Sequence, residues 1–63
     1  MTGERLLRIS DVRVIVGLSE RRIYELLADG QFPAPTRIGT AVRWSLLEVE
    51  AWMVERLGER RSA

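Results

Sequence analysis

The sequence predicts a mainly α-helical fold with one small β-hairpin, in the order strand, helix, helix, hairpin, helix. Three observations predict it. Two short helical segments are separated only by Gly17-Leu18-Ser19. The stretch Thr36 to Trp44 is extended in character and turns back at Gly39-Thr40. A capping box, Ser45-Leu46-Leu47-Glu48, then opens a third helix. With 63 residues the chain holds one domain at most, and a core of that size contributes only about 3–5 kcal/mol of net stability.

Residues 1–5 read as a flexible end. Leu6, Leu7 and Ile9 fit a short strand or an extended lead-in. Ser10 is the expected N-cap of the first helix, with Asp11 in its first turn facing the positive end of the dipole. Residues 11–16 fit two patterns: Val12, Val14 and Val16 alternate as in a strand, while Val12, Ile15 and Val16 share one face of a helix. The cap upstream and Gly17 downstream favour the helix, on which Val14 points outward or lies at an edge.

Ser19 is the N-cap expected for the second helix, which runs to about Asp29 and stops at Gly30. Ile23, Leu26 and Leu27 share its inner face, Arg21, Glu25 and Ala28 lie opposite, and Arg22 and Tyr24 flank them. Pro33 and Pro35 force an extended path after it, with Phe32 as anchor. In the hairpin, Ile38, Val42 and Trp44 are expected on one side and Arg37 and Arg43 on the other. The third helix runs to about Leu57 with Gly58 as its stop. Leu46, Val49, Trp52, Met53 and Leu57 form its core stripe, and Leu47 and Val54 a second stripe. That second stripe fits either a partner surface or packing beneath the hairpin. The ordered domain is then 6–57, followed by a flexible charged tail at 58–63.

Composition excludes much. The chain has no cysteine and no histidine, so thiolate metal sites, disulfides and the usual general base are absent. A chain this short leaves no room for a catalytic cleft, and an enzyme is not expected; neither is a metal or other cofactor. No apolar run approaches the roughly 20 residues of a membrane span, and no signal-peptide h-region opens the chain. A cytoplasmic, nucleoid-associated protein is expected. Net charge is only +1, but it is unevenly spread. Residues 1–22 carry five Arg against three acids, residues 32–44 carry Arg37 and Arg43 and no acid, and residues 45–63 carry four Glu against three Arg. All ten basic residues are Arg. That suits bidentate contacts to phosphate and guanine, though genome composition yields the same bias.

Two short helices across a tight turn form a helix-turn-helix, and a hairpin directly after the second is the wing of a winged version. Leu18-Ser19 through Ile23-Tyr24, Gly30-x-Phe32-Pro33-x-Pro35, Arg43-Trp44 and Glu48-Val49-x-Ala51-Trp52 resemble the AlpA-type regulators. These are small phage- and plasmid-associated proteins with a MerR-like winged helix-turn-helix, closely similar to excisionases. The resemblance spans roughly residues 6–57. It implies a DNA-binding transcriptional regulator or excisionase (recombination directionality factor), with helix 19–29 in the major groove and wing 36–44 on the adjacent backbone or minor groove. Two departures stand out. Arg13 replaces a usually small residue, which would loosen the packing of the first helix on the second. Thr40-Ala41 occupies a wing tip that is often basic, which shifts the wing's burden to Arg37 and Arg43.

The expected DNA-binding set is Ser19, Arg21, Arg22, Tyr24, Arg37, Thr40 and Arg43. Arg21, opposite the core face, is placed to reach a base edge such as guanine O6/N7; otherwise it is a solvated surface Arg. Arg22 suits phosphate. Ser19 caps the helix in any case, and a helix N-terminus also offers N–H groups to phosphate. Tyr24 either gives its hydroxyl to a phosphate or sits half-buried as a helix aromatic. Glu25 suits a pairing with Arg21 or Arg22 better than a cytosine contact. Trp44 and Trp52 read as core. Partners expected are double-stranded DNA, a second copy as a dimer or cooperative multimer, and an integrase or RNA polymerase. The competing reading is a protein–protein adaptor working through the third helix.

Overall fold

Helix ends in this chain are closed by side chains and glycines at short range, and the computed structural model, which describes residues 4–62 and side chains through Gly58, shows how. The first helix, α1 (Ile9–Val16), begins two residues before the expected start. Arg8, not Ser10, is its N-cap. The reason is Asp11: its carboxylate reaches back to accept the Arg8 N–H at 3.1 Å, while the Arg8 carbonyl accepts the Asp11 and Val12 N–H groups. Ser10 therefore lies inside the first turn. Gly17 closes the helix, its N–H on the Arg13 carbonyl at 2.8 Å. Arg13 itself is exposed and does not crowd the second helix.

The second helix, α2 (Glu20–Ala28), starts as the sequence predicts. Ser19 Oγ accepts the Arg22 N–H at 3.1 Å. At its end the Gln31 N–H reaches the Leu26 carbonyl (2.8 Å) and the Gly30 N–H the Leu27 carbonyl (3.1 Å). This is a full Schellman closure, which needs a left-handed residue; Gly30 supplies it at φ 71°.

The strands β1 (Leu6–Leu7), β2 (Thr36–Ile38) and β3 (Ala41–Ser45) form one antiparallel sheet in the order β1-β3-β2. The hairpin has its expected start and two-residue loop, and its second strand runs one residue past the expected end, to Ser45. Gly39 takes φ 63° and Thr40 does not go positive, the pattern of a type II′ turn that joins twisted strands tightly. The expected sidedness is wrong. The loop sets Ile38 opposite Ala41, Arg37 opposite Val42 and Thr36 opposite Arg43. Directly paired residues share a face, so Arg37 lies with Val42 and Trp44, while Arg43 lies with Thr36 and Ile38. Ile38 is accordingly half exposed (50%).

Ser45 also starts α3 (Leu46–Ser62): its Oγ accepts the Glu48 N–H at 3.2 Å. The helix does not stop at Gly58, where the backbone keeps negative φ and continues to Ser62. A glycine ends a helix only when it adopts the left-handed turn. Leu57, expected in the core stripe, is half exposed. Residues 1–3 and 63, and with them part of both expected flexible ends, lie outside the described residues. Glu4 and Arg5 are tied down. The Ser45 hydroxyl donates to Glu4 Oε2 at 2.6 Å, and the Arg5 carbonyl accepts the Leu46 N–H at 2.9 Å.

The core is Leu7, Val12, Ile23, Phe32, Trp44 and Val49. β1, α1, α2, the loop, β3 and α3 each supply one residue, and β2 supplies none. Each such side chain contributes about 1.5–3 kcal/mol by leaving water, so the loss of any one is felt by all the elements. The wing strand β2 is held instead by its pairing with β3. Two indoles pin the proline segment between α2 and the wing. Trp44 Nε1 donates to the Pro33 carbonyl at 3.0 Å, and Trp52 Nε1 to the Gln31 carbonyl at 2.7 Å. The Phe32 and Trp52 rings meet edge-on at 4.8 Å. That segment therefore holds α2 and the hairpin at a set angle.

Candidate nucleic-acid interface

Ile23 is fully buried and Leu26 and Leu27 pack beside it, so the opposite side of α2 faces solvent. Arg21 stands there with 89% of its side chain exposed. Arg22 is on the flank, at 55%. Glu25 serves both: Oε2 lies 3.4 Å from Arg21 Nε and Oε1 3.3 Å from Arg22 Nη1. The pairing expected for Glu25 is thus made twice over. One carboxylate bridges the two guanidiniums and leaves both with N–H groups that it does not engage. Exposed ion pairs within one helix contribute about 0.3–0.5 kcal/mol each, so either arginine can trade its partner for a phosphate or a base.

Ser19 Oγ is used as the helix cap, which leaves its hydroxyl hydrogen for another acceptor. Tyr24 takes the half-buried position. Its ring meets the edge of Trp44 at 6.2 Å and 68°, which ties α2 to the central strand. Thr40 is exposed at the wing turn.

The wing separates its two arginines. Arg37 is exposed, on the sheet face that carries Trp44 and, through Tyr24, faces α2. Arg43 is on the other face and partly buried, and its Nη1 donates to the Val42 carbonyl at 2.9 Å. Of the two, only Arg37 shares a side with α2. Sequence reasoning missed this although the signal was available: a two-residue loop dictates the parity of both strands. It also missed the Gln31 carbonyl, which accepts from Trp52 and from Arg56 Nη2 (3.2 Å); a backbone acceptor leaves no mark in the side-chain pattern.

Among the described residues no group of carboxylates is arranged to hold a metal ion, and no helix is long and apolar enough to cross a membrane. Three helices with a small antiparallel sheet, the hairpin directly after the second helix, are compatible with a winged helix. Residues 5–57 match the family model described as "Prophage CP4-57 regulatory protein (AlpA)". This chain belongs to the AlpA family of phage regulatory proteins. The match takes in β1 through most of α3, and so the whole core. The AlpA chain is also 42% identical over 62 residues to "Uncharacterized protein ORF88" of Enterobacteria phage P4, covering 97% of this chain and 70% of that protein. No solved structure matches it. The family is a regulatory one, not an enzyme family.

Proposed function

We propose that this AlpA-family chain is a sequence-specific double-stranded DNA-binding protein that places α2 in the major groove and lays its wing on the adjacent backbone or minor groove. The observation that carries this reading is the outward pair Arg21 and Arg22, bridged by Glu25 on a helix whose other side is core. Arg21 reads a base edge, Arg22 and the first-turn N–H groups beside Ser19 hold phosphate, and Tyr24 stiffens the helix from its flank. On the wing we assign the contact to Arg37, with Thr40 beside it at the tip. Arg43 acts from the opposite face as support for β3.

In this reading the protein acts in the cytoplasm, at the nucleoid, as a transcriptional regulator or an excisionase. One module of this size covers roughly 600–1,000 Å² of protein surface on DNA, too little for both affinity and specificity, so it works as a dimer or a cooperative multimer. Selection of bound sites from random duplex DNA tests the proposal directly. The expected outcome is one enriched motif, bound in a salt-dependent way and lost on the double change Arg21→Ala and Arg22→Ala. Recovery of no motif, or binding indifferent to that double change, refutes it.

A further inference from the structure

The outer side of α3 differs in chemistry from that of α2. Leu47 and Val54 are exposed (51% and 68%) with Ala51 between them, one turn from each along the same face. Among the described residues no other element covers them. Beside this stripe runs a groove of about 410 Å³ between α3 and the proline segment, lined by Pro33, Ala34, Glu48, Ala51, Trp52 and Glu55. Ala51 belongs to both, so stripe and groove form one continuous apolar surface.

Its rim is acidic. Glu48, Glu50 and Glu55 are exposed, and among the described residues none of them forms a salt bridge; both ion pairs there belong to Glu25. Arg56 is the nearest cation in sequence, but it is engaged with Trp52 and Gln31 and not with a glutamate. Its guanidinium lies 5.0 Å from the centre of the Trp52 ring, and Nη2 donates to the Gln31 carbonyl. An apolar face with an unneutralised acidic rim repels nucleic acid and attracts a cationic chain.

We infer that the α3–proline groove receives a basic, leucine-like anchored segment of a second protein. Glu48 and Glu55 are seven residues apart, which on a helix is about 10 Å. The matching segment therefore carries two cations about 10 Å apart, seven residues apart on a helix or three apart on an extended chain, with an apolar side chain between them over Ala51. A second copy docked through a two-fold axis does not fit, because such a contact opposes the same patch to itself and would bring one acidic rim against the other. This inference does not depend on the DNA reading.

The test uses the full chain of 63 residues, free and bound to duplex DNA, with a labelled helical peptide as probe. The peptide carries two arginines seven residues apart and a leucine between them on the same face. A control peptide has glutamates in place of the arginines. In fluorescence anisotropy the arginine peptide binds saturably and the control at least tenfold more weakly. The double change Glu48→Gln and Glu55→Gln weakens the arginine peptide about tenfold, as the loss of two exposed ion pairs allows. Val54→Ser weakens it further, with the circular dichroism unchanged. Arg21→Ala with Arg22→Ala leaves peptide binding intact while removing any DNA binding, which separates this site from α2. Equal binding of both peptides, or no effect of the glutamate changes, overturns the inference. So does self-association of the protein alone that Glu48→Gln with Glu55→Gln disperses, since the occupant is then a second copy.

Discussion

Replacing Glu25 with Gln isolates the electrostatics of α2. The shared carboxylate leaves the outer face of α2 with two arginines against one glutamate there, and Glu25→Gln raises that local charge by one without removing bulk. The effect on stability is small. Both pairs are exposed, and in both the arginine precedes the glutamate, the weaker order for a helix. Together they are worth at most about 1 kcal/mol, and a fall in melting temperature of a few degrees follows for a domain this small. The effect on DNA is the opposite in sign. With one more uncompensated cation at the phosphates, the slope of log affinity against log salt steepens by about 0.9. Between 50 and 200 mM salt the variant then loses about 3- to 4-fold more affinity than the parent, having started tighter at low salt. Anisotropy of a labelled duplex across that range measures the slope, and a thermal melt measures the stability. A shifted melt with an unchanged slope would show that this face does not meet DNA. A loss of about 1–3 kcal/mol confined to one base position would instead make Glu25 a cytosine reader and refute its role as the partner of the two arginines.

Four further outcomes follow from named contacts. Arg37→Ala lowers DNA affinity and flattens the salt slope by about 1, while Arg43→Ala leaves the slope unchanged and acts only on wing stability; equal slopes would reverse the assignment from hairpin parity. Ile23→Ala removes a fully buried side chain at a cost of about 2–5 kcal/mol, comparable to the whole stability of a core this small, so cooperative melting is lost at 25 °C. Gly58→Ala stabilises by up to about 1 kcal/mol in chemical denaturation, because the position is helical and an added Cβ meets nothing within 4 Å; a loss would mean that the helix breaks there. Ser45→Ala removes the α3 cap, costing about 1 kcal/mol, and also the hydroxyl that holds the Glu4 carboxyl below its usual range. A depressed carboxyl favours the fold above its unfolded pKa and loses that effect as pH falls through the folded one, so the stability difference between parent and Ser45→Ala narrows in acid.

Much of this molecule was determined within a few residues of each position. Ser19 and Ser45 cap the helices that follow them, Gly30 ends α2, and the spacing of Ile23, Leu26 and Leu27 settles that Arg21 faces out and that Glu25 lies within reach of both arginines. These are contacts three or four residues apart, and helix geometry alone brings their partners together. Hairpin parity belongs with them, since a two-residue loop decides which side chains share a face. The start of α1 at Ile9 was equally local, and turned on whether Asp11 closes the turn before it or follows a cap at Ser10. The tertiary structure alone decided the rest. It added β1 to the sheet through the distant Trp44 and Ser45, set Tyr24 against Trp44, and gave the two indoles their carbonyls on Gln31 and Pro33. It also left Leu47 and Val54 uncovered and engaged Arg56 with the Trp52 ring and the Gln31 carbonyl. Periodicity shows that a side chain is apolar and which way it points from its own helix. Whether another element arrives to cover it depends on how all six core residues pack at once, and no local pattern carries that information.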